Sequence, residues 1–145
     1  MSAAYPPIAR LMPHGLPLRA LEALLHWDER GAVCQVTIRD DMPFVRDGRI
    51  ASIITLEYMA QAVAVCLGHE AFLAGQGLRV GMIIGVRKLE IVVPFIDAGT
   101  ELRIEVGRDR GNDEVSTVRG TTKAGETVIS LASMTIYHGA RPTAA

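Results

Sequence analysis

Residues 50–68 read IASIITLEYMAQAVAVCLG, and this stretch decides the fold. It is long enough for about five turns of α-helix. Nearly every side chain in it is apolar or small; the two strongly polar exceptions are Glu57 and Gln61. Spaced by four, they project from one face, one turn above the other. A surface helix would carry a broad polar face. This one does not, so it belongs in a protein core or in a membrane. A carboxylate inside a buried helix is costly unless it is paired, hydrogen-bonded or protonated. That cost makes Glu57 the first functional candidate, because a carboxyl held protonated near neutrality is what acid catalysis needs.

Composition narrows the choice. The chain has 145 residues, the size of one domain, 1–145. Hydrophobic residues make up 49% and aromatic residues 5%, so the expected core is mainly aliphatic. The formal net charge of -1 gives no reason to propose nucleic acid as a partner. Cys34 and Cys66 form no CxxC and have no histidine cluster at zinc-like spacing, so they are expected as reduced core thiols. No metal or nucleotide motif appears, and no cofactor is expected. The N-terminal MSAAYPPIARLMPHG carries prolines and lacks the apolar run of a signal peptide. The central stretch reaches the length of a membrane span only by including its carboxylate, and its flanks lack paired basic and aromatic anchors. No membrane span is expected, and the location expected is cytoplasmic.

Outward from the centre, residues 8–12 are long enough for one helical turn, stopped by Pro13. Pro13-His14-Gly15-Leu16-Pro17 then forms a stiff loop that holds His14 in place. Residues 18–27 (LRALEALLHW) are ambiguous, with composition and spacing that favour helix. Residues 28–31 read as a turn and 32–39 (AVCQVTIR) as an alternating strand. A polar loop, 40–49, delivers the chain to the central helix, where Ser52 or Asp47 is placed to cap. After a fraying last turn over 69–77 come the strands 80–93, 100–108 (TELRIEVGR), 114–123 (EVSTVRGTTK) and 127–137 (TVISLASMTIY). One apolar helix and five or six antiparallel strands give an α+β fold, a curled sheet wrapped around a buried helix. Its open edges and remaining apolar surface call for a partner, so a dimer is expected.

With these elements in place, the chain resembles the hotdog-fold 3-hydroxyacyl-[acyl carrier protein] dehydratases. Leu11-Met12-Pro13-His14-x-x-Pro17 is similar to their LPHxxP segment. Thr55-Leu56-Glu57-Tyr58-Met59-Ala60-Gln61 is similar to their IEAMAQ helix, and GVRKLEIVVPF with TELRIEV to their later strands. Within that family it resembles the dehydratase-like subgroup of aryl polyene and related lipid-like pathways. Two departures stand out: Phe44-Val45-Arg46-Asp47-Gly48 replaces the family's Gly-His-Phe-Pro, and Ala51-Ser52 replaces the Pro-Gly that opens the helix. In the family this region supplies backbone N–H groups to the thioester carbonyl. Here the N–H groups of Ser52, Ile53 and Ile54 are expected in that role. The resemblance also implies that residues 18–27 form a strand, and that the site is completed across a dimer.

The chemistry implied is removal of a C2 proton and expulsion of hydroxide from C3 of a (3R)-3-hydroxyacyl thioester. Neutral His14 suits the base. Glu57, expected to be buried with a raised pKa, suits the acid, and Gln61 would orient Glu57 or the departing water. His26, His69 and His138 are expected at the surface or an edge, and Tyr58 and Met59 in packing. Arg79, Arg87 and Lys88 are either scattered solvated cations or a basic entrance for an acidic carrier protein or its phosphopantetheine. The expected partners are therefore acyl carrier protein and a second copy of the chain. Two alternatives stay open: a hotdog thioesterase, which would not need His14, and a non-catalytic hotdog subunit of a hetero-oligomeric dehydratase.

Overall fold

The computed structural model describes residues 5–12, 18–77, 81–111 and 114–139; His14 and Arg79 lie outside them. In chain order these form β1 (Ala23–Trp27), β2 (Gly31–Thr37), β3 (Arg49–Ala51), α1 (Thr55–Leu73), β4 (Met82–Ile91), β5 (Phe95–Asp97), β6 (Glu101–Gly111), β7 (Val115–Ala124) and β8 (Thr127–Tyr137). Short 3-10 turns occupy Ile8–Arg10 and Ser52–Ile54.

Alternation builds the large sheet. Leu102, Ile104 and Val106 of β6 point inward, as do Ala32, Cys34 and Val36 of β2, while intervening side chains are more exposed. Six antiparallel strands lie in the order β1-β2-β6-β7-β8-β4, and β3 pairs with β5 in a separate ribbon. Helix α1 lies across β1, β2, β6 and β7 and buries Met59, Ala62, Val65 and Leu67 against them. Two glycines set how closely it packs. A Cβ at Gly120 would sit 2.6 Å from the Met59 sulfur. A Cβ at Gly68 would collide with the Leu11 carbonyl. Residues Leu11 and Met12, which lead toward His14, are therefore fastened directly to the helix, and both are buried.

The helix is displaced from the apolar stretch that announces it. Ile50 and Ala51 belong to β3 and pair with Ile96 and Phe95; the α-helix starts at Thr55 and runs on through His69 to Leu73. Neither expected cap forms. Asp47 (φ 53°) and Gly48 (φ 76°) sit at the corner of a tight hairpin, where Arg46 and Arg49 exchange backbone hydrogen bonds of 2.9 and 3.1 Å. Ser52 makes no side-chain cap; instead the Thr55 hydroxyl donates to the Ser52 carbonyl at 2.7 Å. That hydroxyl also bonds Ser130 of β8 at 2.7 Å, fixing the start of the helix to the sheet.

Residues 23–27 form a strand against their local helical composition. Leu24 faces Cys34 and His26 faces Val33, so Leu25 is an extra, bulged residue. The Trp27 indole donates to the Cys66 carbonyl at 3.0 Å, tying this edge strand to α1. His26 is exposed, but His69 and His138 are buried, contrary to the sequence expectation. His69 is enclosed by the rings of Tyr5, Trp27 and Phe72, and His138 bonds the Ser116 hydroxyl at 2.8 Å. Cys34 and Cys66 are free and buried, as expected, and burial pushes their thiols up to about 12 and about 11. Among the described residues no helix is long and apolar enough to cross a membrane.

Candidate active site

Gln61 is the hub of the candidate site. It lies one turn into α1, fully buried, and its amide is used in three directions. Its Oε1 accepts from the Ala20 N–H at 2.9 Å. Its Nε2 donates to the Leu18 carbonyl at 2.8 Å and to Glu57 Oε2 at 2.9 Å. The backbone donor at Ala20 fixes which end of the amide is oxygen, so both amide hydrogens are committed. Gln61 thus orients Glu57 and leaves no donor for a departing water. It also ties the carboxylate to Leu18, just beyond residues 13–17. The described residues before and after 13–17 are held on α1, Leu11 at Gly68 and Leu18 at Gln61.

Glu57 stands in the first helical turn, where the aligned backbone N–H groups favour negative charge. It is exposed rather than enclosed. This corrects the sequence expectation of a carboxylate desolvated by its own chain. The reason is geometric: residues 18–20 cover this face at Gln61, and Glu57, one turn earlier, lies beyond that cover. Beside Glu57 is a small cleft of about 30 Å³, about the share of one water molecule. Leu18, Met42, Phe44 and Ile54 form apolar walls, and Tyr58 is the other polar residue lining it. Burial pushes the Tyr58 phenol up to about 12. Phe44 was not singled out in the sequence as a site residue. It is 66% exposed and adopts a left-handed backbone conformation at φ 72°. Such strain in a bulky residue collects at functional loops, and the replacement of the family's pre-helix segment was the available signal.

Of the three backbone groups expected to face a thioester carbonyl, Ser52 is engaged elsewhere. Its N–H donates to the Pro94 carbonyl at 2.9 Å. Its side-chain oxygen is sealed in the interior with no hydrogen-bond partner among the described residues. Ile53 and Ile54 remain, on a helix entrance that no side chain caps. Among the described residues no group of three or more His, Cys, Asp or Glu is placed to hold a metal ion.

Several large apolar side chains are exposed on the single chain. Strand β4 is the last in its sheet, and Met82, Ile84 and Val86 stand out from it, with Ile84 58% exposed. Leu18, Phe44, Ile53, Val92 and Phe95 are exposed as well. Open sheet edges with exposed apolar side chains are suited to pairing.

Residues 6–145 match the family described as "ApeP-like: ApeP dehydratase". A solved structure, the dehydratase heterocomplex ApeI:P from Xenorhabdus doucetiae, contains a chain 27% identical to this one. It covers 92% of this chain and 91% of its own, with a TM-score of 0.86. More distant likenesses show the fold alone. A hypothetical thioesterase with coenzyme A from Streptococcus pneumoniae is 8% identical, over 83% of this chain and 88% of its own, at a TM-score of 0.65. A mutant of the phenylacetic acid degradation protein PaaI from Thermus thermophilus is 14% identical, over 81% and 92%, at 0.63. Among curated proteins there is no significant match.

Proposed function

The chain belongs to the ApeP-like dehydratase family, with a hotdog fold, and from that premise we propose the substrate and the roles of its residues. It is proposed to act as a single hotdog domain, 1–145, in the cytoplasm. The substrate is a (3R)-3-hydroxyacyl thioester carried on acyl carrier protein, and the product is the trans-2-enoyl thioester, in aryl polyene or fatty-acid-like synthesis.

His14 takes the C2 proton. Glu57, protonated, gives its proton to the C3 hydroxyl, which leaves as water. The N–H groups of Ile53 and Ile54 face the thioester carbonyl, where negative charge develops. Gln61 holds Glu57 in place. The observation that carries this reading is the Gln61 amide, which joins the carboxylate to Leu18, four residues after His14 in the sequence.

One chain leaves Glu57 exposed beside a cleft with room for about one water molecule, too small for an acyl chain. The site is therefore proposed to be completed by a partner seated on the β4 edge, which would desolvate Glu57 and enclose the acyl chain. A second copy of this chain was the sequence expectation. The 27% identical neighbour is a heterocomplex, and that favours a related but non-identical hotdog chain in the partner's place. In that arrangement this chain supplies either the reacting pair or only a wall of its partner's site.

The test is incubation with a 3-hydroxyacyl carrier protein, alone and after mixing with the hotdog partner, read by mass. Loss of water with this chain alone supports the two-residue mechanism in a homo-oligomer. Loss of water only after mixing supports the heterocomplex. Loss of the whole acyl group would replace the dehydratase reading with a thioesterase.

A further inference from the structure

Tyr58 is only 3% exposed, yet it lines the same cleft as Glu57. Buried tyrosine hydroxyls normally find a hydrogen-bond partner. Among the described residues, the side-chain polar atoms sealed without one are in Ser52, His69 and Thr122. The Tyr58 oxygen is not among these sealed atoms, and no hydrogen bond to it is present among the described residues. It therefore keeps some accessible surface, on a residue that lines the cleft. Its high pKa keeps it protonated at any physiological pH, so it is available as a donor.

The two polar groups of this cleft are complementary. Glu57 has one oxygen held by Gln61, and Tyr58 has a hydroxyl to give. The walls between them are apolar, so a polar atom entering the cleft finds both groups and no competing acceptor from Leu18, Met42, Phe44 or Ile54 side chains. An atom that serves both must accept from a phenol and also accept a proton from a carboxyl. An alcohol oxygen with two lone pairs does so.

We infer that Tyr58 is a substrate-contacting residue whose hydroxyl donates a hydrogen bond to the C3 hydroxyl oxygen that Glu57 protonates. This rests on the function proposed above. The bond orients the leaving oxygen toward Glu57 before transfer. It also holds the departing water through one lone pair while Glu57 supplies the proton to the other. No bond to Tyr58 forms or breaks. The same contact selects 3-hydroxyacyl thioesters over saturated ones, because only the former satisfy the open phenol.

The test compares wild type with Tyr58→Phe in the assembled enzyme. The probes are an α,α-difluoro-β-hydroxyacyl pantetheine and its analogue lacking the hydroxyl; neither has a C2 proton, so neither dehydrates. Wild type is expected to bind the hydroxylated probe roughly 10-fold more tightly, and Y58F to bind the two equally. Turnover of the natural substrate class should fall roughly 10- to 100-fold in Y58F, mostly in kcat. Thermal stability should hold, since no protein group loses a hydrogen-bond partner. If wild type dehydrates and Y58F still prefers the hydroxylated probe, the inference alone is overturned. It is equally overturned if Y58F loses affinity for both probes together with stability, which is what a structural hydroxyl would do. A wild-type assembly that dehydrates nothing overturns the proposed function, and this inference with it.

Discussion

Replacing Gln61 by leucine should unfasten the site and weaken the fold together. Leucine fills similar space but offers neither donor nor acceptor. The buried Ala20 N–H then loses its acceptor, at a cost of about 1–3 kcal/mol. The bonds to the Leu18 carbonyl and to Glu57 are only partly buried, and each contributes about 0.5–1.5 kcal/mol. The loss is therefore about 2–6 kcal/mol, or a fall in Tm on the order of 10 °C for a chain of this size. Urea denaturation should show a lower midpoint at unchanged slope. Gln61→Glu gives the contrast. It sets a second carboxyl against Glu57, so the introduced group has a folded pKa above its unfolded value. The folded state then holds the extra proton, and stability falls as pH rises through that folded pKa. Q61L should show no such added slope. A Q61L protein that loses less than about 1 kcal/mol would refute the hub assigned to this amide.

Gly68→Ala should displace residues 8–12 from the helix, because the added methyl meets the Leu11 carbonyl. The expected result is a loss of about 2 kcal/mol or more together with dehydration activity, read by melting and turnover on one sample. His69 is held neutral by burial, its pKa lowered from the ordinary value. The unfolded chain therefore binds the proton more readily, and this contribution to stability is lost as pH falls through about 6.5. His69→Phe should flatten that part of the stability–pH curve, measured by urea midpoints. Ile84→Lys places a charge on the exposed β4 edge and should shift the assembly toward single chains in light scattering, with activity lost in parallel.

The fold was legible where pattern and element coincide. β8 occupies the interval its alternation marks, and β6 and β7 lie within a few residues of theirs. The helix was legible in kind but not in register. Ile50 and Ala51 are as apolar as the helix residues after them, and only their pairing with Ile96 and Phe95, far along the chain, removes them from it. The strand at 23–27 was hidden by the bulge at Leu25. An extra residue breaks the period of two after Leu24, and before it Leu21 and Leu24, both buried, already fall at a helix-like spacing of three. The contact between Glu57 and Gln61 was legible because two polar residues, four apart, interrupt an apolar run. The exposure of Glu57 was not, since a helix apolar on nearly every side does not show which face meets its own sheet. His69 was misplaced because its burial depends on rings from Tyr5 and Trp27, both remote in sequence.

The most direct measurement of the account is the mass of a 3-hydroxyacyl carrier protein after incubation with the assembled wild type, His14→Ala and Glu57→Gln. Wild type is expected to remove water, and each variant to be slower by about 100-fold or more, since each lacks one of the two proton-transfer groups. A Glu57→Gln enzyme that removes water at the wild-type rate would contradict the account.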